Sequence, residues 1–361
     1  MIGGAVGDAL GYPVEFMSID QIKQKHGENG ITSYDLKNGI AEISDDTQMT
    51  LFTADGLLIR TTRGMLRGIA ASPAGYCMHC YRAWLITQNE NYDYWVKGVK
   101  DVTQEYPWLI RVPGLHKRRS PGNTVLSVLN SKCEGSLNEP INNSKGCGGV
   151  MRVAPIGLYF ESEDIDVISM YGAENAALTH GHDLGYIPAA ALVYVINRII
   201  YKPKKALEDI INDCIQKMRM LFTDKPHIGE FVVIMNKAIE LSKSGKNDSE
   251  AITEIGEGWV AEETLAIAIY CALKYRNDFE KAIISSVNHS GDSDSTGSVT
   301  GNIMGAIQGY KAIPERFIDK LELRELILEV ANDLHRDCQT CDYQKESWTP
   351  EDEKWYEKYA C

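Results

Sequence analysis

The sequence has no excess of positive charge, no long apolar run and no disulfide framework. Asp and Glu number 50 against 37 Lys and Arg, a net charge of −13 over 361 residues. A chain this acidic lacks the electrostatic footprint of a general nucleic-acid binder. It leaves carboxylates to spare for cations. The strongest apolar run, Leu184 to Ile196, is shorter than the ~20 residues that a membrane-spanning helix needs. Pro188 lies near the start of that run, where soluble helices tolerate proline. Met1 to Gly11 has no basic segment and contains Asp8, so it does not read as a secretory leader. The nine cysteines are odd in number and follow no framework spacing. Reduced thiols and a cytoplasmic location are therefore expected. Sustained period-2 alternation, internal repeats and low-complexity tracts are also missing.

What is present is helical periodicity. Leu207, Ile210, Ile211, Cys214, Ile215, Met218, Leu221 and Phe222 recur at threes and fours, one face of a 3.6-period helix. The same holds for Phe231, Met235, Ala238 and Leu241, for Leu265, Ala268, Ile269 and Ala272, and for Leu326, Ile327, Val330 and Leu334. Between Ser162 and His180 a serine opens a stretch whose inner face is marked by Ile165, Ile168 and Ala176. Short extended pieces are expected near Ile31 to Ile43. Arg111 to Gly122 and Asn138 to Gly149 read as loops. The pattern predicts a large all-α domain over residues 1–336. The polar, aromatic tail 337–361 reads either as a docked appendage or as a frayed end.

Two dense sets of oxygen donors stand just before helical stretches. One is Ser44-Asp45-Asp46-Thr47; the other is Asp292-Ser293-Asp294-Ser295. Adjacent carboxylates repel, so such sets cost stability unless cations or donors compensate. Each set alone also fits helix capping, and Asp45 with Gln48 has capping-box spacing. Taken together they could hold two divalent cations ~4 Å apart. All-oxygen donors favour Mg²⁺ or Mn²⁺. The helix after the second set carries Gly297, Gly301, Gly305 and Gly309. Each glycine costs ~1 kcal/mol relative to alanine in a helix, so the stripe reads as a surface for close helix contact.

Gly3 to Gly11 is glycine-rich without a phosphate-loop lysine, and reads as a tightly packed helix leading to Glu15. Gly146-Cys147-Gly148-Gly149, followed by Arg152, is the better anion candidate, because consecutive amides can form a nest; a flexible turn is the other reading. Cys77-x-x-Cys80 and Cys338-x-x-Cys341 raise zinc, but the pairs lie far apart in sequence. Cys147 as a nucleophile would need a base such as His180 or His182. His180-Gly181-His182-Asp183 suits a metal, a substrate or a helix cap.

Six ordered motifs coincide with a known family: GAVGDALGYPVEF (4–16), SDDTQMTL (44–51), SPGNTVLSVL (120–129), SKGCGGVMRVAPIGL (144–158), LTHGHDLGYIPAAAL (178–192) and VNHSGDSDSTGSVTGNIMGAIQG (287–309). The chain resembles the ADP-ribosylglycohydrolases. The resemblance implies a single orthogonal helical bundle around a dinuclear Mg²⁺ or Mn²⁺ site. It places metal ligands on Ser44, Asp45, Asp46, Asp292, Asp294 and Ser295, and the family's flexible glutamate on Glu15. It places ADP-ribose contacts on Gly146, Cys147, Gly148, Gly149, Thr179 and His180. Asp-Ser-Asp-Ser replaces the more usual Asp-Thr-Asp-Thr and keeps the oxygen ligand. The first motif stands at the start of the sequence, so no arm of the kind that could plug a toxin is expected.

The activity so implied is hydrolysis of the bond between ADP-ribose and a modified protein side chain, with arginine favoured. Glu15, Asp46 and Asp292 are the expected catalytic groups. An oxocarbenium-like transition state stabilised by nearby carboxylates fits them. Other readings are hydrolysis of a free ADP-ribosyl metabolite such as O-acetyl-ADP-ribose, a two-metal phosphoesterase, and a non-catalytic ADP-ribose-binding protein. No membrane or nucleic-acid partner is expected.

Overall fold

The computed structural model describes residues 1–68, 70–98, 106–161, 163–339 and 348–360. Among these the chain forms eighteen α-helices and five short 3₁₀ turns, with no strand. The extended pieces expected near Ile31 to Ile43 reduce to isolated bridges, Lys37 with Ile40 and Ala41 with Leu321.

The periodic segments fold as helices at Leu207–Leu221, Ile228–Lys243, Ala261–Lys274 and Arg324–Arg336. In the first of these Leu207, Ile210, Ile211, Cys214, Ile215 and Met218 face the core, as the spacing requires. The helix expected after Ser162 spans Ile165–Ala177. Its cap is Asp164, whose side chain accepts from the amide of Asp166, and Ser162 lies outside the described residues.

The apolar run belongs to a helix, Asp183–Tyr201, that is long and apolar enough to cross a membrane by length and composition alone. Most of it, 83%, is buried inside the protein, so it is a core helix. Pro188 is its sixth residue, one turn deeper than expected; it removes one N–H from the helical ladder. Cys77 and Cys80 are buried in the helix Pro73–Asn89, and the Cys77 thiol donates to the Thr53 carbonyl at 3.7 Å. No disulfide joins the described cysteines. Cys341 lies outside the described residues.

The helix Pro350–Tyr359 is docked. Trp355 donates to Thr62 Oγ1 at 2.9 Å, the Tyr359 hydroxyl bonds Asp333 at 2.6 Å, and both rings are buried. Arg111 reaches over to the carbonyl of Glu357.

The deepest contact joins the first helix, Ile2–Gly11, to the helix Ser293–Gln308. They run antiparallel, Gly3 against Gly301, Gly7 against Gly297 and Gly11 against Ser293. A Cβ on Gly7 would overlap the backbone of Gly297, and one on Gly301 would overlap the carbonyl of Gly3. The two glycine-rich stretches are therefore the two halves of one contact. Their backbones touch because neither helix has side chains in the way. The C-terminal end of the first helix, which leads to Glu15, is thereby held beside Asp292 and Asp294.

Gly7→Ala and Gly297→Ala should each destabilise the protein by ~3 kcal/mol or more, since backbone cannot move aside as a side chain can. Gly75→Ala, in a helix with open space around it, should be neutral or stabilise by ~0.5 kcal/mol. Urea unfolding of the three variants checks the contrast.

Candidate active site

Three helix ends meet at one cavity. Asp8, fully buried near the end of the first helix, accepts from the amides of Ser44 (2.9 Å) and Thr47 (3.1 Å) and from the Thr47 hydroxyl. It fixes the start of the helix Asp45–Arg67. Ser44 is the cap of that helix, with its Oγ accepting from Asp46 N at 3.2 Å. The capping-box pairing of Asp45 with Gln48 does not form. Gln48 instead takes bonds from Trp84 Nε1 and Gln88 Nε2. Asp45 Oδ2 faces the amide of Gly122 at 3.4 Å.

On the opposite side Asp292 caps the helix Ser293–Gln308, accepting from Ser295 N at 3.2 Å. Ser295 Oγ donates to Asp46 Oδ1 at 3.3 Å, which joins the two acidic sets. Two of the residues expected as ligands, Ser44 and Asp292, are thus helix caps. The positive ends of two helices face the carboxylates and offset part of their repulsion.

The cavity is about 330 Å³. Its walls include Glu15, Asp45, Asp46, Asp292, Asp294 and Ser295, with Gly146, Cys147, Gly148 and His180 opposite. No lysine or arginine is among the residues lining it. Burial and mutual repulsion push Asp45, Asp46 and Asp294 well above the usual carboxylate range. Glu15 is pushed up to about 9, first by burial and then by Asp292, Asp45 and Asp8. Asp46 Oδ2 and Glu15 Oε2 are buried without a hydrogen-bond partner. Buried carboxylate oxygens without donors are costly. Five acidic side chains around one space, two with orphaned oxygens, fit hard divalent cations of the Mg²⁺ or Mn²⁺ type.

Ser44, Thr179 and Gly149 do not line the cavity. Ser44 is fully buried behind Asp46. Thr179 holds His180, its Oγ1 lying 2.8 Å from His180 Nδ1. Gly149 packs on Ala176 and the Gly185 carbonyl. Burial and Arg152 lower the His180 pKa to about 3, so this imidazole stays neutral. It lies flush against Gly148, where a Cβ would stand 3.0 Å from His180 Cε1.

Arg152 does not serve the glycine segment as an anion ligand. It is wholly buried beneath the site, donating to Thr179 Oγ1 and Asn175 O at 2.9 Å, with its guanidinium 4.5 Å from the Tyr81 ring centre. The amide of Cys147 is spent on the Trp259 carbonyl and that of Gly146 on Ser144 Oγ. The nest of consecutive amides is therefore shorter than its sequence suggests. The Cys147 thiol donates to Asp292 Oδ2 at 2.8 Å, and burial and carboxylates raise its pKa well above the ordinary value. That direction favours the thiol over the thiolate a nucleophile needs, and no base accepts its proton other than Asp292.

Asp8, Phe16 and Trp259 were not among the expected site residues. Phe16 and Trp259 stack at 5.7 Å on the cavity wall. The segment 257–261 ties both walls together. Glu257 O takes the Asp292 amide, Trp259 O takes that of Cys147, and Ala261 N donates to Lys145 O. An aspartate inside a glycine helix was the available signal for Asp8. Trp259 carried none, because its place depends on the fold.

Among the described residues the chain is helical, and its helix ends meet at an acidic cavity. The family model for ADP-ribosylglycohydrolase matches residues 1–344, and the chain belongs to that family. It is 26% identical to human ADP-ribosylhydrolase ARH3 over 58% of this chain, and the match spans 64% of that protein, less than two thirds. It is 24% identical to the ADP-ribosyl-[dinitrogen reductase] glycohydrolase of Rhodospirillum rubrum, over 90% of this chain and 89% of that one. The fold is similar to a solved ADP-ribosylglycohydrolase-related protein complex, with TM-score 0.54 and 21% identity, covering 92% of this chain and 94% of that chain.

With chelator present, stability should fall as pH rises from about 7.5 to about 9. Unfolded carboxylates are already ionised in that window, whereas the folded cluster still holds protons that it must lose. His26, His79, His180, His182 and His289, lowered in the folded state, act in the opposite sense around the unfolded value of about 6.5 and have finished about one unit above it. Mg²⁺ or Mn²⁺ should flatten the slope. Thermal unfolding across this pH range, with and without metal, reads it.

Proposed function

We propose that this glycohydrolase cleaves the glycosidic bond between ADP-ribose and a modified protein side chain, arginine favoured, and releases free ADP-ribose in the cytoplasm. The carrying observation is the set of buried, uncompensated carboxylates facing the glycine segment across a cavity of about 330 Å³. Asp45, Asp46, Asp292 and Asp294, with Ser44 and Ser295 in support, would hold two divalent cations, Mg²⁺ or Mn²⁺. Cations so held supply Lewis acidity toward ribose hydroxyls and lower the pKa of water.

The remaining work falls to the chain. Gly148, lacking a side chain on the cavity wall, allows a diphosphate to approach the backbone. His180, neutral and fixed by Thr179, offers a hydrogen bond and no charge. The carboxylates stabilise positive charge developing at the anomeric carbon. Glu15 holds a proton in the metal-free state and sits at the cavity edge, placed to exchange it with the leaving group or the attacking water. The protein-bound substrate draws support from the ADP-ribosyl-[dinitrogen reductase] glycohydrolase relative, whose match covers 90% of this chain. The cytoplasmic assignment draws support from cysteines that form no disulfide among the described residues.

The test is release of ADP-ribose from an arginine-ADP-ribosylated protein, with Mg²⁺ or Mn²⁺ and with chelator. Metal-dependent release is expected. Release only from other linkages or from free metabolites would overturn the substrate and keep the class. Asp46→Asn and Asp292→Asn should lower kcat at least ~10³-fold while circular dichroism stays native. Wild-type turnover in both would sink the assignment of these carboxylates.

A further inference from the structure

A second cluster of donors lies outside the acidic cavity. His182, Asp183 and His227 bring one ligand atom each within 4.8 Å of one another, and none of the three lines the cavity. Asp183 is the first residue of the helix Asp183–Tyr201, and His227 immediately precedes the helix Ile228–Lys243. Asp183 is 6% exposed; the two imidazoles reach toward solvent from either side. Their ring centres lie 4.5 Å apart.

The hydrogen bonds leave one contact unresolved. His227 Nδ1 lies 2.7 Å from Asp183 Oδ1, and the Leu184 amide donates to the same oxygen at 2.9 Å. That amide also donates to His182 Nδ1 at 3.0 Å. Yet His182 Nδ1 and Asp183 Oδ1 are 2.9 Å apart. Two acceptors at that separation need something positive between them, either a proton on His182 Nδ1, which then donates to Asp183, or a metal ion. If the imidazole turned to a metal, the Leu184 amide would keep Asp183 as its acceptor, so nothing would be orphaned. Glu230, three residues after His227 and exposed on the first turn of the same helix, adds negative charge toward His182.

We propose that His182, Asp183 and His227 form a binding site for one borderline divalent cation of the zinc class, distinct from the acidic cavity. Two imidazoles with a carboxylate suit Zn²⁺, Co²⁺ or Ni²⁺ and not Mg²⁺. The His182 amide donates to Ser144 O at 3.3 Å, and Gly185 packs on Ser144 O and Lys145. The site thus lies directly behind the glycine wall, and a bound cation would brace that wall from outside. The inference does not depend on the glycohydrolase substrate.

The experiment is dialysis of the intact protein against Zn²⁺ in excess Mg²⁺, which occupies the carboxylate cavity, followed by metal analysis and thermal unfolding. One zinc per chain and a zinc-dependent rise in Tm are expected for the wild type. The double variant His182→Gln/His227→Gln should lose both. His227→Gln alone, which keeps a donor for Asp183, should bind zinc roughly tenfold or more weakly with an unchanged zinc-free Tm; it serves if the double variant does not fold. Equal zinc content in wild type and variants, or no zinc in the wild type, overturns the proposal.

Discussion

The contact between the backbones of two glycine-striped helices sets the position of everything that follows. Helices usually keep their axes apart by the thickness of their side chains. Here Gly3 and Gly7 meet Gly301 and Gly297 with no side chain between them. The first helix therefore lies deep enough for Asp8 to reach the amides of Ser44 and Thr47. It also ends where Glu15 joins Asp292 and Asp294 on one cavity wall. The helix propensity given up at each glycine is offset by burial and by the placement of three helix ends around one space.

That placement concentrates negative charge. A cavity walled by five carboxylates and no cationic side chain is unstable to its own repulsion, and two helix N-termini compensate only part of it. Protons fill the gap in the metal-free state, which is why burial and repulsion raise Glu15, Asp45, Asp46 and Asp294 together. Metal affinity and proton affinity at such a site are linked quantities. The neutral His180 and the protonated Cys147 thiol fit the same picture. Both are held in uncharged forms, by burial aided in one case by Arg152 and in the other by Asp292 and Asp46.

Much of the fold was legible because core helices announce themselves by period. The buried positions of Leu207–Leu221 follow the spacing, with Leu221 alone only half-buried. The acidic sets were legible because local density of carboxylates is a sequence property. Arg152 was misread for the opposite reason. Its neighbours in sequence are the glycine segment, but its partners in space are Asn175, Thr179 and Tyr81. Ser44 and Thr179 sit one layer behind the cavity, orienting Asp46 and His180. A motif shows that such residues accompany the site without showing which layer they occupy. Trp259 lies more than a hundred residues from Cys147, and the backbone bond between them, with the stack on Phe16, places it on the wall.

The sequence by itself determined the helical class, the family, the oxygen-rich character of the site and the need for close helix contact. These follow from period, composition and local spacing, which the chain carries before it folds. The tertiary structure decided which glycines touch and which acidic oxygens lack donors. It also decided which motif residues face the cavity, and that His227 joins His182 and Asp183. Those outcomes depend on through-space approach between segments far apart in the chain. Hydrogen bonding, desolvation and charge repulsion act at distances of a few ångströms, and folding alone brings such groups within them.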